Sequence, residues 1–318
     1  MTQKTILITG AAGQVGSHVA ELLLARGDAV LGLDDFTTGR PEHLPPETPS
    51  YAFRKGSIAD AEFVNRTFAE FRPDVVVHTA ASYKDPDDWY SDALTNIVGS
   101  VNVIKASKAV SVKRFIYFQT ALCYGVKPVE QPITLSHPKN PGNSSYAISK
   151  TAAEDYLELS GLDFVTFRLA NVIGPRNVSG PLPIFFSRLR DAKRCFVTEA
   201  RRDFVYVGDL ARTVVRAADG MGEGTYHFSS GKDIAIRELY DSVVNAMKLN
   251  DYPEPEVRPL GPDDAASILL DPSRTFADFG EVKFTPLADF VPQAIEYYRT
   301  FGVLGEYTHL KLKEAERR

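Results

Sequence analysis

Only two cysteines occur in 318 residues, Cys123 and Cys195, far apart and in no Cys-x-x-Cys pair. That excludes a disulfide framework and fits a reducing compartment. No apolar run approaches the ~20 residues needed to cross a bilayer, and Met1-Thr2-Gln3-Lys4 leads into a strand without the apolar core of a signal peptide. The expectation is a cytoplasmic protein with no membrane partner. Strong charge of one sign is missing as well. Net charge is −5, and the basic runs are short: Arg188 to Arg194, Arg201-Arg202, and a tail with Lys311, Lys313, Arg317 and Arg318. No nucleic-acid surface follows from that. The six histidines show no ligand spacing, so no metal site is expected. Internal repeats and low-complexity tracts are absent too.

What is present is alternation. Short apolar runs at Thr5–Thr9, Ala29–Asp34, Tyr51–Lys55, Asp74–Thr79, Arg114–Gln119 and Phe164–Leu169 read as strands buried on both faces. Between them Gln14–Arg26, Ala61–Glu70, Ser91–Ala109 and Tyr146–Ser160 read as helices, with Gly27 and Gly161 closing the first and last. The order implies an α/β fold with a doubly wound parallel sheet. After about residue 172 the texture changes. Gly174, Pro175, Gly180, Pro181 and Pro183 crowd a loop. Helices are then expected near Ile184–Asp191 and Leu210–Asp219, a strand–helix pair over Tyr226–Leu249, and a last helix over Pro286–Thr300. Residues 1–172 thus form the expected dinucleotide-binding domain. Residues 173–318 form mainly a smaller α/β substrate lobe, with some segments returning to the large domain.

The first strand runs into Gly10-Ala11-Ala12-Gly13-Gln14-Val15-Gly16. Gly10 permits the tight turn, Gly13 lets backbone approach a pyrophosphate, and Gly16 allows close packing of helix on sheet. The helix N-terminus offers free N–H groups and a positive dipole end to phosphates. The spacing is Gly-x-x-Gly-x-x-Gly, one residue longer than the commonest form. About 20 residues on, the second strand ends at Asp34-Asp35, where a carboxylate can accept from ribose hydroxyls. It would also repel a 2′-phosphate, so NAD is favoured over NADP; Arg40 nearby reads as an exposed loop cation.

Tyr146-Ala147-Ile148-Ser149-Lys150 opens a helix, and residues four apart share a face. A free tyrosine has a pKa near ~10. A nearby ammonium, with the positive ring of a bound nicotinamide, favours the phenolate and makes Tyr146 a general base. Thr120 lies just past the strand Arg114–Gln119, at the carboxyl edge where open α/β sheets bind ligands.

Jointly these motifs resemble the extended short-chain dehydrogenase/reductase family, Rossmann-type in fold. The chain looks in particular like the NAD-dependent nucleotide-sugar epimerases and dehydratases, of the UDP-galactose 4-epimerase kind. The match rests on Gly10-x-x-Gly13-x-x-Gly16, His78-Thr79-Ala80-Ala81, Asn96, Thr120 five residues before Gly125, and Tyr146-x-x-x-Lys150. It extends through Asn171, Arg202-Asp203-Phe204-Val205-Tyr206-Val207-Gly208-Asp209 and Leu270-Asp271-Pro272-Ser273. Tyr83-Lys84-Asp85-Pro86-Asp87-Asp88-Trp89 is similar to epimerases of bacterial O-antigen clusters.

The resemblance implies NAD held by Gly10, Gly13, Gln14, Val15 and Gly16, by Asp34 and Asp35, and by Ser57 and Ile58. It adds Thr79, Ala80, Ala81, Lys84 and Asn96, besides Tyr146 and Lys150. It implies a nucleotide-diphosphate sugar, a UDP-sugar foremost, met by Lys84, Thr120, Asn171, Arg202 and Arg258. A guanidinium suits diphosphate oxygens because its fork matches them. The implied reaction is 4-epimerisation through a transient 4-keto sugar, with Thr120, Tyr146 and Lys150 catalytic. A homodimer is implied through the helices Ser91–Ala109 and Tyr146–Ser160.

Departures narrow the reading. Where sugar dehydratases carry Asp-Glu after the threonine, this chain has Ala121-Leu122, which disfavours elimination of water. The third strand ends Gly56-Ser57 instead of Gly-Asp, and Cys195 to Arg201 is short for the segment that often touches the nucleotide base. Asp85, Asp87, Asp88 and Trp89 are further candidates to face the sugar, and Cys123 reads as a buried thiol. Three alternatives stay open: an NAD(P)H-dependent keto-sugar reductase, a decarboxylase or dehydratase of the same family, and an NAD-sensing regulator, since fold alone does not fix function.

Overall fold

The computed structural model describes residues 3–303 apart from 84, 143, 262–264 and 281. Seven parallel strands form the central sheet, in the order β3-β2-β1-β4-β5-β6-β11. They are β1 (Thr5–Thr9), β2 (Ala29–Asp34), β3 (Tyr51–Lys55), β4 (Val75–His78), β5 (Arg114–Thr120), β6 (Phe164–Leu169) and β11 (Gly224–Phe228). Alternate residues feed two cores. Ile6, Ile8, Ile116 and Phe118 face one side, while Leu7, Phe115 and Tyr117 face the other. That two-sided burial is why these strands read as near-continuous apolar runs.

The first face is covered by α1 (Gln14–Arg26) and α7 (Val207–Ala218), through Val19, Ala20 and Leu23 against Leu210, Ala211 and Val214. The second is covered by α2 (Ala61–Phe71), α4 (Ser100–Ala109) and α5 (Ser145–Ser160). The sheet order reverses between β1 and β4, the place where ligands bind outside strand ends in such folds. This is a Rossmann-type α/β architecture.

The expected helix Ser91–Ala109 is longer and not uniform. A turn, α3 (Trp89–Ser91), runs into a π-helical segment, Asp92–Gly99, before α4. Wide turns of this kind shift side-chain direction and recur at functional sites.

The remaining elements build the second lobe, except α9 (Ser273–Phe279), which returns to the central sheet and packs Phe279 beside β11. These are β7 (Asn171–Ile173), α6 (Pro181–Arg190), β8 (Phe196–Thr198), β9 (Arg201–Arg202) and β10 (Phe204–Tyr206). Beyond β11 come β12 (Ile234–Ala235), α8 (Ile236–Met247), β13 (Glu256–Arg258), α9 (Ser273–Phe279) and α10 (Leu287–Phe301). α6, α8 and α10 enclose their own core, with Leu182, Phe186, Tyr240, Val243, Phe290 and Tyr298. Its small sheets are two-stranded: β7 with β10, β9 with β12, β8 with β13. The expected helix near Ile184–Asp191 begins earlier, at Pro181, whose fixed φ suits a first helical position. α9 was not expected: seven residues carry too little periodicity to be read. Among the described residues no helix is long and apolar enough to cross a membrane.

Candidate active site

A cavity of about 1490 Å³ opens along the carboxyl edge of the sheet and continues under the second lobe. Its floor is the β1–α1 turn. Gly10 has φ +70, and a Cβ there would lie 2.7 Å from the Ala80 nitrogen. A Cβ on Gly16 would lie 2.3 Å from the Gly10 carbonyl oxygen. Thr79 donates its hydroxyl to the Thr9 carbonyl at 2.7 Å, fastening β4 to this turn. Gly10, Gly13, Gln14 and Val15 line the cavity, whereas Gly16 packs beneath it.

At the end of β2, Asp34 accepts from the Ala12 and Phe36 backbone N–H groups, at 3.0 and 2.8 Å. Burial raises its pKa, and the two N–H groups oppose that. Asp35 also lines the cavity, exposed, and accepts from Thr37 N–H at 2.9 Å. Arg40 lies off the wall, bonded to Glu42 and to the Phe301 carbonyl. Gly56 and Ile58 line the cavity. Ser57 does not: its hydroxyl closes a local turn to Ala59 N–H.

Thr79, Ala80 and Ala81 form the next stretch of wall. Asn96, 1% exposed, stands behind it rather than in it. Its carbonyl oxygen accepts from Ser82 N–H at 2.7 Å, and its amide donates to the Ser82 carbonyl and to Ser149 Oγ. Its three hydrogen bonds tie Ser82 of the wall to Ser149 of α5. His78 is buried between Thr9 Oγ1 and Ser100 Oγ, a structural partner to both. Lys84 lies outside the described residues.

The proposed catalytic trio shares one wall: Thr120 ends β5, while Tyr146 and Lys150 start α5. α5 begins at Ser145 because Ser144 caps it, its hydroxyl accepting from Ala147 N–H. The Tyr146 ring meets Tyr83 edge-on, centroids 6.4 Å apart. Thr120 Oγ1 accepts from Leu122 N–H at 3.2 Å, and Ala121 and Leu122 line the cavity beside it.

The expected pull of Lys150 on the phenol is not what the protein alone provides. Burial pushes the Tyr146 phenol well up, reinforced by Tyr83 and Asp92. Burial also brings the Lys150 ammonium down to about 7, against the opposing charge of Glu154.

Farther along, Asn171, Arg202 and Arg258 all line the cavity. Asn171 donates to the Asp203 carbonyl at 3.2 Å, and Arg202 to the Ala265 carbonyl at 2.7 Å. Arg258 pairs with Glu256 and lies 4.1 Å over the Phe196 ring. The sequence reading passed over two other cationic wall residues, Arg176 and Arg188. Arg176 follows Gly174-Pro175 at φ +65, bonds Glu21, and keeps one buried guanidinium nitrogen without a partner. Its place directly after the strand that carries Asn171 was the available signal. Among the described residues no three His, Cys, Asp or Glu side chains converge as a metal group would need. Cys123 is buried and its thiol is pushed up to about 12.

The chain is similar to known proteins. The sequence model of the NAD dependent epimerase/dehydratase family matches residues 6–228. A UDP-glucose 4-epimerase of Mycolicibacterium smegmatis is 33% identical, over 92% of this chain and 98% of its own. The crystal structure of the Bordetella bronchiseptica enzyme WbmH in complex with NAD+ is 66% identical, with a TM-score of 0.92, over 95% of this chain and all of its own. WbmG of the same organism, in complex with NAD and UDP, is 40% identical, with a TM-score of 0.86, over 98% of both chains. UDP-glucose 4-epimerase from Thermotoga maritima, with UDP-glucose, is 30% identical, with a TM-score of 0.85, over 93% of this chain and 99% of its own.

Proposed function

This chain belongs to the NAD dependent epimerase/dehydratase family, and we propose that it inverts C4 of a nucleotide-diphosphate sugar, UDP foremost, through a transient 4-keto sugar. The observation that carries this reading is the shared wall. Thr120, Tyr146 and Lys150 face the same cavity as the Gly10–Val15 turn, with apolar Ala121 and Leu122 next to Thr120.

The residues present fit NAD. Gly10, Gly13, Gln14 and Val15 line the cavity at the start of the first helix, and Asp34 stands where a ribose hydroxyl would donate to it. When bound, NAD supplies the hydride acceptor at the sugar carbon, the donor for the return step, and a positive ring near Tyr146. The chain's own part is proton handling and orientation. Tyr146 takes the proton of the sugar 4-hydroxyl and returns it after the keto sugar has turned over. Lys150, protonated, stabilises the phenolate, and Thr120 orients the hydroxyl. Arg202, Arg258 and Asn171 hold the diphosphate and nucleoside while the sugar turns. Ala121 and Leu122 offer no acid or base for loss of water, which favours epimerisation over dehydration.

The occurrence of UDP with WbmG supports the choice of nucleotide. Residues 173–318 are assigned mainly to substrate binding. Two copies are inferred to pair through the helices Ser100–Ala109 and Ser145–Ser160 and the π-helical segment before them. That surface leaves Val98, Ile148, Tyr156 and Leu159 exposed, at 45, 47, 47 and 81%. Two free cysteines support a cytoplasmic home.

The test is a screen of nucleotide sugars by mass spectrometry for conversion without mass change, with products resolved by NMR. Purified protein should carry NAD and need none added. Protein that arrives without cofactor and consumes NADH one-for-one with a keto sugar would make it a reductase instead.

A further inference from the structure

Behind the catalytic wall lies a buried ionic network that the mechanism above does not use. Glu154 is on the α5 face that carries Lys150, one turn later. It is 0% exposed. Arg168, from β6, donates to both of its oxygens, each at 3.1 Å. Arg168 also donates to the Tyr124 hydroxyl at 2.6 Å, and that hydroxyl meets His227 Nε2 at 2.6 Å. From β5, the Gln119 amide points at Glu154 Oε2 at 3.4 Å. The other end of the same amide accepts the Thr120 backbone N–H at 2.8 Å.

We propose that Glu154 is a positioning residue for the reaction. Its carboxylate, clamped by Arg168, orients Gln119 and through it the Thr120 backbone, and sets a negative charge one turn behind the Lys150 ammonium. The inference rests on the roles given above to Thr120 and Lys150. A carboxamide has two ends that cannot both be chosen freely. Because the carboxylate attracts the NH₂ end of Gln119, the oxygen end is left for Thr120. The charge acts on Lys150 in the direction that keeps it protonated.

Other charged and titratable groups face Glu154. Lys139 lies 3.5 Å away, from the segment before α5. Cys123 and Tyr124 flank Arg168, both held neutral by burial. His227, lowered to about 4, is neutral too. Asp155 and Glu158 lie on the same helix, outside the buried pair. An ion pair this deep could serve the fold alone, since such pairs often add little net stability. The two roles differ in what they do to proton transfer.

The test uses the full chain with NAD bound, as Glu154→Gln and as the charge-balanced Glu154→Gln/Arg168→Met. kcat at neutral pH should fall roughly tenfold with KM nearly unchanged. The alkaline limb of the kcat profile should move down by about one pH unit, as Lys150 loses its proton earlier. The acid limb should stay close to wild type, because Lys150 is still protonated there, so the bell narrows from its alkaline side. Ultraviolet tyrosinate titration, referenced to Tyr146→Phe in each background, should show the Tyr146 transition displaced from its wild-type position. That readout needs no sugar turnover, so it judges Glu154 even if the epimerase assignment fails. A folded double variant whose titration and profile superimpose on wild type overturns the proposal. Should neither Glu154 variant fold, Gln119→Met leaves the ion pair in place and tests the Thr120 arm. A lower kcat with unshifted limbs supports that arm, and an unchanged kcat overturns it.

Discussion

The Lys150 ammonium stands 4.0 Å from the centre of the Tyr117 ring, and the Tyr117 hydroxyl donates to the Lys150 backbone carbonyl at 3.0 Å. One strand residue thus holds both the charge and the helix of the lysine proposed as catalytic. A desolvated cation over an aromatic face gains about 2 kcal/mol. Tyr117→Leu should remove that gain, let Lys150 lose its proton at lower pH, and cut kcat at neutral pH roughly tenfold. Tyr117→Phe keeps the ring and loses one hydrogen bond, so its kcat should stay close to wild type while stability drops by about 1 kcal/mol. Steady-state kinetics and urea unfolding on the pair check this. Equal kcat losses in both variants would assign the effect to the hydroxyl.

Tyr146→Phe deletes the proposed proton acceptor. Loss of a positioned acid or base costs about 10²- to 10⁴-fold, so turnover should fall by at least ~100-fold. NAD should stay bound, because the glycine turn and Asp34 are untouched. Activity together with the nicotinamide absorbance of the denatured protein's supernatant checks both halves. Turnover near wild type would remove Tyr146 from its role.

Much of this was legible because burial on two faces leaves a simple mark. β1, β2, β3 and β6 end where the apolar runs of the sequence end. The glycine turn and the Tyr146–Lys150 spacing were readable for a related reason: each is local, and its chemistry depends on neighbours in sequence. The unread parts depend on distant partners. Asn96 looked like a cofactor residue, yet its amide is consumed by Ser82 and Ser149, and Ser149 lies 53 positions away. The π-helical turns at Asp92–Gly99 leave no mark in the hydrophobic period of the sequence. Ser57 was expected at the cofactor, but it does not line the cavity, and its hydroxyl accepts from Ala59 N–H in a local turn. Arg176 was passed over because a lone arginine after Gly-Pro looks like any loop cation, and its pairing with Glu21 and its place on the cavity wall join residues distant in sequence.

Two glycines of the cofactor turn should fail in different ways. A Cβ on Gly16 would press 2.3 Å against the Gly10 carbonyl oxygen and 2.9 Å against Thr79 Oγ1, so backbone must move. Gly16→Ala should lose about 1–3 kcal/mol of stability, as overpacked sites do, and its NAD with it. At Gly13 the nearest atom to a new Cβ is 3.2 Å away, and φ is −80. Gly13→Ala should keep its fold and still release NAD, because the methyl occupies cofactor space. Thermal unfolding beside a bound-nucleotide assay separates the two. A Gly13→Ala protein that retains NAD fully would move the pyrophosphate away from this turn.

The inferred pairing through α4 and α5 has its most exposed apolar side chain in Leu159, 81% accessible. Leu159→Lys should leave the monomer's stability within about 0.5 kcal/mol, as surface changes do. It should shift the sedimentation coefficient from that of a pair toward that of a single chain. If wild type already sediments as a monomer, or the variant remains paired, another surface carries the contact or none does.

Three histidines make stability fall on mild acidification. His78, buried with both ring nitrogens engaged, is lowered to about 3; His43 and His227 are each lowered to about 4, in all three chiefly by burial. In the unfolded chain each takes up its proton near ~6.5. Their folded values lie below that, so between roughly pH 6.5 and pH 4 the unfolded state binds more protons, and stability drops as pH falls. Each histidine steepens the slope by at most ~1.4 kcal/mol per pH unit within that window. Above about pH 7.5 all three are neutral in both states and add no slope. Urea unfolding at a series of pH values should therefore be flat at the alkaline end and decline steeply below about pH 6. His43→Gln, at the site nearest the second lobe, should shallow that decline by about one proton's worth. An unfolding free energy that holds level from neutral pH down to about pH 5 would mean these imidazoles are solvated more than their burial implies.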